Sequence, residues 1–260
     1  MNDETDVVKR RRGIYLLPNL FTTAGLFAGF YAIVAATKNH FDAAAIAIFV
    51  AMIMDSLDGR IARLTNTQSD FGKEYDSLSD MVAFGLAPAL VMYEWALLGL
   101  GKLGWLAAFI YTAGAALRLA RFNVQHAVVN KRYFQGLASP AAAGVLGGVV
   151  WVADDYGLRD SVGMTIAVAV LTVAVALLMV SNIRYRSFKD LDLRNRVPFV
   201  AVLLLVLIFA FVSIDPPQVL FALFFGYAVS GPVNSLIFLR KRKQVLQRRR
   251  QRTAENRDDL

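Results

Sequence analysis

"DSLDGRIARLTNTQSDFGKEYDSLSD", residues 55–80, sets Asp55, Asp58, Asp76 and Asp80 at the edges of two apolar segments. It follows "AAAIAIFVAMIM" and runs into "MVAFGLAPALVMYEWALLGLG". A carboxylate near the centre of a bilayer costs about 2.5–3.5 kcal/mol or more, so its default reading is functional.

The surrounding composition says that a bilayer is there. Of the 260 residues 57% are hydrophobic, and the mean hydropathy is +0.48; a soluble domain is nearer about 45–50% apolar. The apolar residues come in blocks of about 18–25 residues, long enough to cross a membrane, rather than in a helical stripe. An integral membrane protein is implied. With no cysteine, disulfide and thiolate chemistry are excluded. The opening "MNDETDVVKRRRGIYLLPNLFTTAGLF" lacks a small-residue cleavage pattern, so its apolar run is expected to be a retained first helix.

Eight spans are predicted, near residues 16–37, 42–63, 74–98, 103–124, 138–154, 161–182, 197–214 and 217–239. The fifth, "ASPAAAGVLGGVVWVAD", is the shortest and is glycine-rich. Turn and polar signals separate the spans: "TKNHFD", "TNTQSDFG", "GLGK", "DDYGLRD" and "SIDPPQ". Charge fixes the orientation. The side shared by both termini carries 25 of the 28 Lys and Arg residues, and the other side only Lys38, Lys102 and Arg159. The positive-inside rule then places both termini in the cytoplasm. The expected fold is an all-α polytopic membrane bundle of about eight transmembrane helices.

Two flanking features have ordinary readings. The basic end "RKRKQVLQRRRQR" directly follows a span, where such clusters bind anionic lipid headgroups rather than nucleic acid. Residues 1–15 form a cytoplasmic or interfacial segment. Within the first span, Gly25 and Gly29 make a G-x-x-x-G whose plain meaning is close helix packing.

In the opening stretch, Asp55 and Asp58 are three apart near the end of one span, and Asp76 and Asp80 four apart at the start of the next. Each pair shares a helix face. The short connection makes the helices antiparallel neighbours, so the pairs can face each other. Four converging carboxylates need a cation between them, and hard divalent ions with oxygen ligands (Mg2+, Mn2+ or Ca2+) answer that. His40 and His126 fall in loops on opposite sides, which argues against zinc. Arg63, one turn beyond Gly59, is a natural partner for phosphate oxygens. Gly59 and Gly72 let a ligand or another helix come close to the backbone. A dimetal site with an adjacent arginine fits phosphoryl transfer on a lipid pyrophosphate. An isolated aspartate at a helix end is an ordinary cap; four at these spacings with the glycines and Arg63 are not.

Two other classes fit the stretch less well. A cation transporter would place its site near the midplane, often on interrupted helices in related repeats, and no second copy of the motif occurs in the later spans. A non-catalytic scaffold leaves the aspartates unexplained.

The pattern D-x2-D-G-x2-A-R-x8-G-x3-D-x3-D, filled by Asp55, Asp58, Gly59, Ala62, Arg63, Gly72, Asp76 and Asp80, resembles the signature of the CDP-alcohol phosphotransferases at every fixed position. "LPNLFT", with Asn19 and Thr22, looks like the family's element near the nucleotide. "ALRLARFN" (116–123), "GLASPAAAG" (136–144) and "VSNIRYRSFK" (180–189) look like its phosphatidylserine synthase branch. The resemblance implies a family core over 16–190; hydropathy and charge add two further helices over 191–239 and a basic cytoplasmic tail over 240–260. It implies CDP-diacylglycerol and L-serine as substrates and two divalent cations, Mg2+ or Mn2+, held by Asp55, Asp58 and Asp76 with Asp80 as a further ligand. Asp80 would be the catalytic base on the acceptor hydroxyl, and Arg63 would neutralise the departing CMP. Gly59, Gly72, Asn19 and Thr22 would line the nucleotide. Glycerol 3-phosphate and inositol phosphate are acceptors in the same chemistry. All three acceptors need cationic groups, so the candidates are Arg118, Arg121, Asn123, Arg184, Arg186 and Ser187. By resemblance a homodimer is expected, in a bacterial inner membrane with the active site on its cytoplasmic face.

Overall fold

The computed structural model describes residues 16–125, 133–159, 161–186 and 199–258. Residues 1–15, His126 and Ser187 lie outside them. Helix α1 (Leu16–Thr37) returns through a tight turn into α2 (Phe41–Leu64). Asn39 takes a left-handed conformation in that turn, with φ 60°. The α1–α2 seam is built from Ala28, Ala32, Ala35, Ala36, Ala44, Ala47 and Ala51, all buried. Small side chains let two helices approach closely where lipid offers no hydrophobic drive of its own.

Helix α2 stops at Thr65, whose hydroxyl donates to the Ile61 carbonyl at 2.7 Å. Asn66 is again left-handed, with φ 51°. Ser69 then caps α3 (Asp70–Asp80), its Oγ accepting from the Gly72 N–H at 3.0 Å. That cap starts the second half of the aspartate motif. The span expected over 74–98 is not one regular helix. A π-helical turn, Met81–Leu86, follows Asp80 directly and leads into α4 (Ala87–Trp95) and a 3-10 turn at Leu97–Leu100. The wider turn frees carbonyls, and α5 (Lys102–Gln125) supplies hydroxyls for them. Tyr111 donates to Phe84 O at 3.0 Å, and Thr112 lies 3.4 Å from Gly85 O. No sequence signal announced this turn, because its partners lie on another helix.

Helix α6 (Ser139–Asp155) is buried almost all round. This accounts for its glycines. A Cβ on Gly144 would meet the Phe224 ring, one on Gly148 the backbone of Phe221, and one on Gly147 the side chain of Ile48. Helix α7 (Val162–Val180) packs on α5, and α8 (Phe199–Ile214) leads into α9 (Pro216–Asp258), whose Phe221 and Phe224 fill the α6 notches. Helix α9 is continuous for 43 residues with Pro232 inside it, so the eighth predicted span and most of the basic tail form one rod.

One small departure from all-helical structure stands beside the site. Strands β1 (Tyr133–Gln135) and β2 (Arg184–Arg186) pair antiparallel, with Phe134 opposite Tyr185. Gly136, at φ 77°, turns the chain from β1 towards α6. Tyr185 is buried and donates to Ala228 O at 2.9 Å, its ring 5.4 Å from that of Tyr227. The ribbon is thereby fastened to α9.

Of the described helices, α1, α5, α7 and α9 are long and apolar enough to cross a membrane on their own. The others depart from that simple form for visible reasons. Helix α2 carries charged residues along its last turns, the π turn divides α3 from α4, and α6 and α8 are 17 and 16 residues long.

Candidate active site

The last turns of α2 and the length of α3 bring the four aspartates together. Asp55, Asp76 and Asp80 each present a carboxylate oxygen, and these three atoms lie within 4.8 Å of one another. Asp58 is buried beside them. Its Oδ2 accepts from the Thr22 hydroxyl at 2.6 Å, and its carboxyl contacts that of Asp76. Asp55 and Asp80 make a second close pair. The small pocket between them is also lined by Gly25, Ala51, Ala83 and Phe84.

Carboxylates packed in this way repel unless protons or cations lie between them. One observation favours a cation. Oδ1 of Asp76 is buried and has no hydrogen-bond partner, and an orphaned carboxylate oxygen among other carboxylates suits a hard metal ion. The residues therefore fit the divalent cations expected from the motif. Asp55, Asp76 and Asp80 share one ligand cluster, while Asp58 flanks it.

Helix α1 braces the cluster. Thr22 is buried, and its backbone carbonyl accepts from the Ser79 hydroxyl at 3.0 Å, which holds α3 against α1. Thr23 meets the Tyr75 hydroxyl at 2.8 Å. Asn19 is half-buried, with Oδ1 3.6 Å from where a Cβ on Gly72 would stand. Gly72 thus faces Asn19, whereas a Cβ on Gly59 would meet nothing within 4 Å. The bareness of Gly59 serves no internal packing. Arg63 is exposed, and its Nε donates to Gly59 O at 2.8 Å, which holds the guanidinium over that glycine.

The acceptor candidates separate. Arg118 is 9% exposed; its Nη1 donates to Ser139 Oγ at 3.2 Å, and its Nε is buried without a partner. The guanidinium also interacts with the charge of Asp80. Arg121, one turn on, faces elsewhere: Nη1 donates to Val180 O at 2.9 Å and lies 3.4 Å from Asn182 Oδ1. This closes the C-terminus of α7, where a cation offsets the helix dipole. Asn123 donates to Ser77 Oγ at 3.0 Å and so joins α5 to α3 next to Asp76. Arg184 and Arg186 belong to β2, and their side chains, like Ser187, lie outside the described residues.

Sequence reasoning missed Ser79 and Ser139. Ser79 sits at a variable position of the aspartate motif but three residues after Asp76, hence on the inner face. Ser139 lay in the stretch "GLASPAAAG" without an assigned role.

Comparison with known proteins gives one family. The family model described as CDP-alcohol phosphatidyltransferase matches residues 15–230. A protein of Helicobacter pylori named CDP-diacylglycerol–serine O-phosphatidyltransferase is 35% identical over 229 residues, covering 88% of this chain and 94% of the relative. One of the same name from Bacillus subtilis is 33% identical over 173 residues, 66% of this chain and 91% of its own. A third, from Methanocaldococcus jannaschii, is 38% identical over 143 residues, 55% of this chain and 63% of its own.

Proposed function

This chain belongs to the CDP-alcohol phosphatidyltransferase family, and from that premise we propose that it transfers the phosphatidyl group of CDP-diacylglycerol to the hydroxyl of L-serine, giving phosphatidylserine and CMP. The observation that carries the chemistry is the meeting of Asp55, Asp76 and Asp80 within 4.8 Å, beside Asp58, with an orphaned oxygen on Asp76. The choice of serine is supported by the names of the relatives.

Two divalent cations, Mg2+ or Mn2+, would be held by Asp55, Asp58, Asp76 and Asp80 and, when bound, would neutralise the pyrophosphate and the charge developing on it. Asp80 receives the proton of the serine hydroxyl. The oxygen it frees forms a bond to the phosphorus that carries diacylglycerol, and the bond from that phosphorus to the CMP oxygen breaks. Arg63, steadied on Gly59, meets the negative charge of the leaving CMP. Asn19 and Thr22 contribute polar contacts on the nucleotide side, where Gly59 and Gly72 leave room for it. Acceptor binding is assigned to the opposite side, around Arg118 and Asn123, with Arg184, Arg186 and Ser187 as the further candidates from the sequence.

In the same reading, eight passes place both termini and the active site at the cytoplasmic face of a bacterial inner membrane. Residues 16–190 are the family core, 191–239 the two added helices, and residues 1–15 and 240–260 meet the membrane surface. The basic tail contacts anionic headgroups, and two copies of the chain form a homodimer.

The test is CMP release from CDP-diacylglycerol by the purified protein, with and without L-serine. Serine-dependent release that needs Mg2+ or Mn2+ and vanishes in Asp80→Asn supports the assignment. Release with glycerol 3-phosphate but not serine overturns the acceptor, and release with neither overturns the chemistry.

A further inference from the structure

Helix α9 carries a weak link at "SGP", residues 230–232. Pro232 has no N–H, so the carbonyl four residues earlier, Ala228 O, loses its helical donor. Ala228 is buried, where an acceptor left unpaired is costly. Tyr185 of strand β2 fills the gap, its hydroxyl donating to Ala228 O at 2.9 Å. Gly231 makes the seat for the ring, because a Cβ there would fall on the Tyr185 side chain. Ser230 adds to the looseness: its hydroxyl donates to Tyr227 O at 2.6 Å, the kind of side-chain bond that competes with a helix ladder. One break in the ladder is thus the attachment point of the β ribbon.

The two sides of the break differ. Before it, α9 is plugged into the bundle by Phe221 and Phe224, which fill the notches at Gly148 and Gly144. After it, the helix continues to Asp258 and includes the basic run "RKRKQVLQRRRQR". The apolar part ends at Ile237. At about 1.5 Å per residue, an unbent helix carries Arg248 to Arg250 about 17–20 Å past that point. Salt screens an exposed charge beyond about 8–10 Å. For those arginines to meet headgroups, the tail must lie down on the surface, and α9 must bend near the membrane face. Pro232, about one turn before Ile237, is where bending costs least.

A bend at a proline relieves the clash between its ring and the carbonyl four residues back, and leaves that carbonyl open to an outside donor. Here the outside donor is Tyr185. The ribbon it holds leads directly to the site. Gly136 N–H donates to Ile183 O at 2.8 Å and Leu137 N–H to Leu178 O at 3.0 Å. The ribbon therefore sets where α6 starts, and Ser139 at that start accepts from Arg118.

We propose that Pro232 and Tyr185 form a hinge: on an anionic membrane surface the basic half of α9 folds down, the bend tightens the Tyr185–Ala228 bond, and the steadied ribbon raises turnover. The hinge presupposes the activity and the headgroup contact proposed above, and adds a regulation to them. Tyr185 is a positioning residue, acting through the ribbon.

The test measures CMP release at saturating L-serine and Mg2+ from full-length protein in two kinds of vesicle. One is phosphatidylcholine and the other phosphatidylcholine with phosphatidylglycerol, at the same mole fraction of CDP-diacylglycerol. The readout is the ratio of the two rates for each protein, in which a general loss of activity cancels. The unaltered protein should be about two- to tenfold faster in the anionic vesicles, the worth of about one buried hydrogen bond. The ratio should fall towards one in Tyr185→Phe, which loses the donor, and in Pro232→Ala, which gives Ala228 O its helical partner back. It should also fall in the combined Arg248→Gln, Arg249→Gln and Arg250→Gln variant. Equal rates for the unaltered protein in the two vesicles overturn the hinge while leaving the serine reading intact. A ratio unchanged from the parent's in any of the three variants overturns it as well. If the unaltered protein releases no serine-dependent CMP in either vesicle, the activity itself falls and the hinge with it.

Discussion

The hydroxyl of Thr22 donates to Oδ2 of Asp58 across 2.6 Å, and the two side chains are buried together. The bond ties the first helix to the second at the depth of the acidic cluster. It also uses one oxygen of the aspartate that flanks the other three. Partners of this kind, which orient a ligand group from behind, are commonly worth about 10–100-fold in metal affinity or activity. Thr22→Val should therefore shift the Mg2+ or Mn2+ activation curve to higher concentration by about that factor. Thr22→Ser, which keeps the hydroxyl, should stay near the parent curve. Equal activation curves for Thr22→Val and the parent would remove Thr22 from the metal site.

Asp80→Asn keeps the size of the side chain and removes the proton acceptor. Turnover should fall about a hundred- to ten-thousand-fold, while CDP-diacylglycerol still protects the protein against thermal unfolding in Mg2+. A variant that loses turnover and that protection together would show that the substitution acts through the part of Asp80 in holding the metal rather than through proton transfer.

The acidic cluster predicts an exchange of stability for activity. Without metal, four neighbouring carboxylates oppose folding, so Asp76→Asn should raise the Tm of metal-free protein while it abolishes CMP release. Adding Mg2+ should raise the Tm of the parent protein, because a ligand of the folded state stabilises it by mass action. The same addition should do less for the variant. A drop in Tm for metal-free Asp76→Asn would contradict the repulsion.

Two glycines of one G-x-x-x-G separate in the structure. A Cβ on Gly29 would stand 2.6 Å from Cα of Ala83, whereas one on Gly25 would have only ordinary contacts at 3.6–4.0 Å. Gly29→Ala should destabilise the bundle by about 1–3 kcal/mol, the usual range for overpacking. Gly25→Ala should leave the thermal unfolding profile close to the parent. Equal Tm values for the two variants would show that α1 and the π turn do not approach as described.

Arg159 sits at the end of the bundle away from the aspartates. Its Nε donates to Trp95 O at 2.9 Å, Nη1 to Asn39 Oδ1 at 3.2 Å and Nη2 to Glu94 O at 3.3 Å. The guanidinium also lies 4.6 Å from the Phe41 ring centre. Arg159→Ala should cost about 2–4 kcal/mol, summing a few partly exposed charge-assisted bonds and a cation–π contact. The KM values for both substrates should be unaltered in the folded fraction. A change in KM would tie this end of the bundle to the site.

The sequence made the aspartates legible because their spacing is a local rule. Residues three and four apart share a helix face, and a short connection sets two such faces opposite each other. The helical character of the chain was legible for a similar reason, as apolar blocks parted by turn residues, and among the described helices four are long and apolar enough to cross a membrane. The π turn after Asp80 was not, since Tyr111 and Thr112, which satisfy its carbonyls, come from α5. Nor was the division between Arg118 and Arg121. They are three residues apart with the same charge, and only the placement of α6 and α7 turns one to a helix beginning and the other to a helix end. The glycines of α6 made that span look weak in the sequence. They mark a helix buried on most of its faces, where side chains of α2 and α9 take the space.

Arg159 gives the bundle an asymmetry between its two ends. At its own end it gathers the start of α2 and the end of α4 around one side chain, and the Trp95 indole, bonded to Asp154 at 3.2 Å, draws in the end of α6. A set of rods fastened at the base can part only at the tip. The tip here is the acidic end, where α2 and α3 are joined by a five-residue loop, 65–69, and held to α1 by single hydroxyl groups. One guanidinium thus secures three helix ends at the base, whereas the acidic end is joined by loop 65–69 and by several small hydroxyl bonds.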